Sequence, residues 1–255
     1  LIGASYDDVN GIYSGSAYVF IRTGTTWTQQ QKLLPSGASE LDWFGFSVSL
    51  DDDTALIGAP MDAGYYELTG STYVFVRSGT TWMEQAKLLA SDGGGIDQFG
   101  FSVSLDGDTA LIGAPYEGIS YYEDDIGSAY VFTRTGTTWY QQQKLLASDG
   151  DECDTFGTSV SLGGDIALIG APNDDDNGNN SGSAYVFTST GSFWIEQAKL
   201  LASDGAEFDY FAGSVSLSGS TSLIGAPEDD DNGAWSGSAY MFKGEENPSN
   251  NYDRQ

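Results

Sequence analysis

The chain has 255 residues, no histidine, a single cysteine and 13% aromatic residues. Nine Lys and Arg against 37 Asp and Glu give a net charge of −28, which repels phosphate backbones and anionic lipid headgroups and sets nucleic acid and membrane surfaces aside as partners. The aromatic content is too high for a disordered chain, no apolar run is long enough to span a bilayer, and Cys153 alone cannot close an internal disulfide.

In chain order, the string Leu-Ile-Gly-Ala opens at Leu1 and returns at Leu56, Leu111, Leu168 and Leu223, at spacings of 55 or 57 residues. Such a fixed period is the mark of a repeat architecture. Leu1 stands inside a repeat, which reads as a processed or partial sequence. Next comes Gly-Ser-(Ala/Thr)-Tyr-(Val/Met)-Phe, starting at Gly15, Gly70, Gly127, Gly182 and Gly237. A turn then leads to Trp27, Trp82, Trp139 and Trp194, followed by Lys-Leu-Leu from Lys32, Lys87, Lys144 and Lys199. Phe-Gly-x-Ser-Val-Ser-Leu begins at Phe44, Phe99 and Phe156, and the last copy reads Phe211-Ala212-Gly213.

Each repeat reads as four short strands. In the third repeat these are Phe101 to Leu105, rich in small residues, Thr109 to Gly113, apolar, Ser128 to Arg134, β-branched and aromatic, and Thr138 to Leu145, which starts on a Trp and turns polar. Gly, Asp and Ser punctuate the junctions, and no segment has helical periodicity. Four strands per unit of this length predict an all-β fold, a β-propeller of about five four-stranded antiparallel blades. The first blade lacks its first strand and the last its fourth, so the propeller covers 1–243 and a polar tail covers 244–255. The tail is expected to serve as an outer or exchanged strand, with Tyr252 in the Trp place, and the inner strand of the first blade to come from outside 1–243. The Phe-Gly, Tyr-x-Phe and Trp aromatics are expected to pack between blades. The repeated lysines are expected to point outward, guarding the open strand edge.

Phe-Gly followed about a dozen residues later by Gly-Ala-Pro resembles the FG-GAP repeat, which builds the propeller of integrin α-subunit heads and of many secreted microbial proteins. The resemblance spans Leu1 to about Lys243 and implies an extracellular propeller. In integrin-like repeats an Asp-rich calcium loop lies between the two motifs. Here that segment is Asp51-Asp52-Asp53, Asp106-Gly107-Asp108, Gly163-Gly164-Asp165 or Ser218-Gly219-Ser220, too short to wrap an ion.

The acids gather instead after Gly-Ala-Pro. Asn173, Asp175 and Asn177, and likewise Glu228, Asp230 and Asn232, alternate before a glycine in the manner of a Ca2+ loop, although the closing bidentate acid is absent. The competing reading is an Asn-Gly turn with solvated acids. Asp42, Asp97, Asp154 and Asp209 precede each Phe by two residues and read as acceptors for backbone N–H groups. Cys153 aligns with Leu41, Ile96 and Phe208 and reads as a small buried hydrophobe, with no histidine to activate it. Asn179 begins a glycosylation sequon. Tyr65, Tyr66, Tyr121, Tyr122 and Trp235 are loop aromatics outside the repeat pattern and are the candidates for ligand contact.

These features predict a non-enzymatic extracellular structural or adhesive module, whose partners are other copies of itself, extracellular proteins or glycans. Strand exchange would allow a head-to-tail fibre. The alternatives are a monomeric propeller binding a protein or glycan and, further off, a carboxylate-dependent glycoside-active enzyme.

Overall fold

The computed structural model describes residues 1–62, 69–118 and 126–244. Among these there are 18 strands and no helix. Every sheet is antiparallel and runs in chain order. The first blade holds β1 (Ile2–Ala4), β2 (Ser16–Thr23) and β3 (Thr26–Leu33). The second holds β4 (Val48–Asp51), β5 (Thr54–Ala59), β6 (Ser71–Ser78) and β7 (Thr81–Leu88). The third holds β8 (Ser102–Asp106), β9 (Thr109–Ala114), β10 (Ser128–Thr135) and β11 (Thr138–Leu145). The fourth holds β12 (Ser159–Gly163), β13 (Ile166–Ala171), β14 (Ser183–Ser189) and β15 (Trp194–Leu200). The fifth holds β16 (Ser214–Ser218), β17 (Thr221–Ala226) and β18 (Ser238–Lys243). The expected five blades, incomplete at the first and last, are what forms. The tail from 245 onward, including Tyr252, lies outside the described residues, as do 63–68 and 119–125.

The strands β4, β8, β12 and β16 lie side by side, so successive blades meet along their first strands. The period-2 alternation of a strand gives each blade two apolar faces. The core is accordingly split into four clusters, one per blade boundary. Between blades one and two, Ala17, Val19 and Leu33 meet Phe44, Ile57, Tyr73, Phe75 and Trp82. The same chemistry recurs at the later boundaries. Phe44 sits edge-on to both Tyr73 and Phe75, at centroid distances of 5.4 and 6.0 Å, and Phe99, Phe156 and Phe211 repeat the arrangement. Edge-to-face contact is the favoured geometry for aromatic quadrupoles.

The repeat motifs exist because they touch. The FG glycines adopt positive φ, +88° at Gly45, +93° at Gly100 and +98° at Gly157, a region that glycine enters without steric cost. The carbonyls of Gly100, Gly157 and Ala212, which holds the FG glycine place in blade five, face the preceding blade and accept hydrogen bonds from Ser47, Ser102 and Ser159 Oγ at 2.7–2.8 Å. The Gly of Gly-Ala-Pro lies beside the same carbonyl.

The Gln-rich fourth strand has a role other than edge protection. Gln31 exchanges two hydrogen bonds with the backbone of Trp82, at 2.8 and 2.9 Å, while the indole N–H of Trp82 donates to Gln30 Oε1 at 2.9 Å. Trp194 is held in the same way by Gln142 and Gln143. Each of these Trp side chains is therefore clamped by the blade before it and buried, as is Trp139.

Two expectations need correction. The repeated lysines do not project outward as edge charges. They fold back over the tyrosine ring opposite them in the sheet, with Nζ 5.2–5.6 Å from the centroid, and pair with loop acids. Cys153 is exposed rather than buried, and so are its equivalents Leu41, Ile96 and Phe208. All four have φ near +70°, because a tight left-handed turn throws their side chains outward.

Candidate functional site

The loops after Gly-Ala form one end of the blades, and there the structure assembles a repeated polar cluster. The fourth residue counted from the Gly is acidic in every blade: Asp7, Asp62, Glu117, Asp174 and Asp229. Tyr18, Tyr73, Tyr185 and Tyr240 donate their phenol O–H groups to Asp7, Asp62, Asp174 and Asp229. In blade three Tyr130 donates to Asp92, while Glu117 accepts from Ser128. The fourth-strand lysine completes the cluster in four blades. Lys32 lies 2.8 Å from Asp7, Lys87 2.9 Å from Asp62, and Lys144 2.8 Å from both Asp92 and Glu117. Lys199 is surrounded by Asp176 at 2.7 Å, Asp174 at 2.8 Å and Asp149 at 3.0 Å.

Burial works against the charge on Lys199, but the hydrogen bonds it donates to Asp174, Asp176 and Asp149 outweigh it and hold the ammonium above its ordinary range. The bond from Lys32, helped by Ser16 and Tyr18, lowers Asp7 to about 2. Burial and then the charge of Asp174 push the Tyr185 phenol upward. These tyrosines are neutral donors that tie the loop acid to the third strand.

A second carboxylate layer lies beneath. Asp42, Asp97, Asp154 and Asp209 accept the backbone N–H of Ser39, Gly94, Asp151 and Ala206 at 2.5–2.7 Å, the turn-capping role that their position implies. All four are nearly inaccessible to water. Burial raises Asp42, Asp97 and Asp154 to about 6, although the N–H bonds pull the other way.

The calcium-like positions fall on the outside of this cluster. The Asp175 carboxylate accepts the N–H of Asn180 at 2.7 Å, and Gly178 N–H donates to the Asp175 carbonyl at 3.0 Å. Asn177 N–H donates to Ser181 Oγ, and Asn173 N–H to the Asp154 carbonyl. Glu228, Asp230 and Asn232 are exposed. Among the described residues no three acidic, His or Cys side chains are arranged to hold a metal ion. The residues that point inward are the ones between the expected ligands, Asp174 and Asp229. The signal that could have found them is the constant offset from the glycine in all five repeats. Asn179 is exposed on this loop, and its carbonyl accepts from Phe208 N–H. Trp235 is 79% exposed, whereas Tyr65, Tyr66, Tyr121 and Tyr122 lie outside the described residues.

No helix among the described residues is long and apolar enough to cross a membrane. No curated protein sequence matches the chain significantly. The FG-GAP repeat matches four times, at residues 27–75, 82–132, 139–187 and 194–242. Each match opens on the Trp of one blade and closes on the third-strand Phe of the next, so the sequence unit straddles a blade boundary. With most of its length covered by these repeats, the chain belongs to the FG-GAP repeat family, and its blades are those of a propeller-like module.

Proposed function

We infer that this chain is a non-enzymatic, extracellular structural or adhesive module that joins copies of itself head to tail. The observation that carries this reading is the difference between Trp27 and its equivalents. Trp82, Trp139 and Trp194 are no more than 9% exposed, whereas Trp27 is 64% exposed and Ile2 of the same blade 57%. At the other end Leu223 and Met241 are 48% and 71% exposed, where the aligned Leu56 and Val74 are buried against the next blade. The front of blade one and the back of blade five thus present the two sides of the contact that joins blades within the chain, where Gln pairs hold Trp82 and Trp194 and Gln85 alone holds the Trp139 indole. Apolar faces of this kind call for a cover. Because the halves differ, contact between copies is heterologous and can propagate.

The absence of histidine and the engagement of the repeated acids in turns and ion pairs support a role without catalysis. The high negative charge suits a secreted protein and disfavours nucleic acid. Sedimentation velocity of the full chain tests the assembly. Multiples of 27.1 kDa that grow with concentration are expected. A monomer at all concentrations would overturn self-assembly through these faces.

A further inference from the structure

A run of aromatic rings crosses the loop end of blades one to three. Tyr13 meets Tyr6 at 5.2 Å between centroids, Tyr6 meets Trp43 at 5.8 Å, and Trp43 stacks on Phe46 at 5.9 Å. Phe46 touches Phe101 at 4.9 Å, and Phe101 meets Tyr116 at 6.2 Å. Tyr6 is 62% exposed, Tyr13 42% and Phe46 37%. The ridge does not follow the repeat. Thr158 and Gly213 stand where blades two and three have Phe46 and Phe101, and Asn173 and Glu228 stand where blades one and three have Tyr6 and Tyr116. Rings that recur in every blade are explained by packing between blades; this set is not. The indole N–H of Trp43 is also shielded with no hydrogen-bond acceptor.

We propose that this ridge binds a neutral oligosaccharide laid along it. The C–H face of a sugar ring carries partial positive charge and is attracted to the negative face of an aromatic ring, while phenol groups keep one end wet for hydroxyl contacts. The ridge is a line one ring wide. Its three most exposed rings offer roughly 300 Å², well short of the ~800 Å² per partner of a stable protein interface, but suited to a few sugar units. Charge narrows the class further. The chain carries −28, and the lysines nearest this end are held by loop acids, so anionic sugars find no counter-charge. A ligand oxygen reaching past the Tyr6 edge would give Trp43 the acceptor it lacks. The inference deepens the adhesive part of the proposed function and uses a surface separate from Trp27 and Met241.

The test is calorimetric titration of the full chain, and of its Trp27→Ser variant, with cellohexaose, xylohexaose and mannohexaose. Hexagalacturonate and hexa-arginine serve as charged counter-probes. Binding of at least one neutral hexaose in the range of about 10 μM to 1 mM is expected, equally in both proteins, so that loss of assembly leaves it intact. Tyr6→Ala and Phe46→Ala should each weaken it tenfold or more. Tyr6→Phe should retain it, and Phe193→Ala, an exposed ring off the ridge, should not change it. Absence of binding by all three neutral sugars, binding indifferent to the ridge variants, or tighter binding of either charged probe would overturn the proposal. Thermal melts of each variant separate lost binding from lost fold.

Discussion

Gly58 faces the carbonyl of Gly100 across a blade boundary so closely that a Cβ on Gly58 would lie 2.0 Å from that oxygen. The same contact joins Gly113 to Gly157 at 2.0 Å and Gly170 to Ala212 at 2.2 Å. The two halves of the FG-GAP motif are therefore one inter-blade contact, made between the second strand of one repeat and the turn that opens the next.

Gly113→Ala is expected to destabilise the chain by about 3 kcal/mol or more, since backbone must shift to relieve the overlap. Gly107→Ala, in an open turn at φ +55° with nothing near its Cβ position, should cost only about 1 kcal/mol. Urea unfolding of the two variants compares them directly. Equal losses would mean that the clash is absorbed without cost.

Ala212 occupies the FG glycine position in blade five with φ +69°. An L-residue pays about 1–2 kcal/mol there. Ala212→Gly should therefore raise stability by roughly 1 kcal/mol, after subtracting the greater freedom of glycine in the unfolded chain. A lower urea midpoint would contradict this.

Lys199 is the sole cation of a cluster with three acids, of which Asp174 is 4% exposed. Lys199→Met leaves a buried carboxylate unpaired and should cost about 3–5 kcal/mol. Lys32→Met, which unpairs Asp7, 27% exposed against 4% for Asp174, should cost about 1 kcal/mol. Chemical denaturation orders the two, and the reverse order would refute the reading.

Asp42, Asp97 and Asp154 have folded-state values of about 6, above the ordinary 3.8. Between those pH values the native state binds more protons than the unfolded one, so stability rises as pH falls from 7 toward 4. Asp7, lowered to about 2, acts oppositely and loses its contribution only below about pH 4. Unfolding free energy should thus be higher near pH 5 than near pH 7 by on the order of 1 kcal/mol per buried site, and thermal unfolding should show a higher Tm at pH 5. Asp97→Asn should flatten the slope and be more stable than wild type at pH 7. A Tm that falls steadily from pH 7 to 5 would contradict this.

The strands were legible in the sequence because their alternation and turn residues repeat; the fourth strand at Thr138–Leu145 was read to the residue. The destination of the lysines was not, because a strand pattern says which face a side chain takes but not that a loop acid waits above the tyrosine opposite. Period-2 alternation at Asn173, Asp175 and Asn177 says nothing of Asp174 between them, because the loop is a turn; Asp174, tied to Tyr185, is the buried acid. Apolar character at Leu41, Ile96 and Phe208 points to burial of Cys153, but positive φ turns all four outward.

Head-to-tail joining requires the face around Trp27 and the face around Met241 to be two halves of one interface. Trp27→Ser blocks the first and Met241→Glu the second, and both residues are exposed enough for the blades to remain intact. Each variant alone should sediment as a 27.1 kDa monomer. Mixed in equal amounts, they should form a species of twice that mass and nothing larger, because each supplies one open half and the resulting pair has none left. Monomers in the mixture, with wild type also monomeric, would contradict head-to-tail joining through these faces.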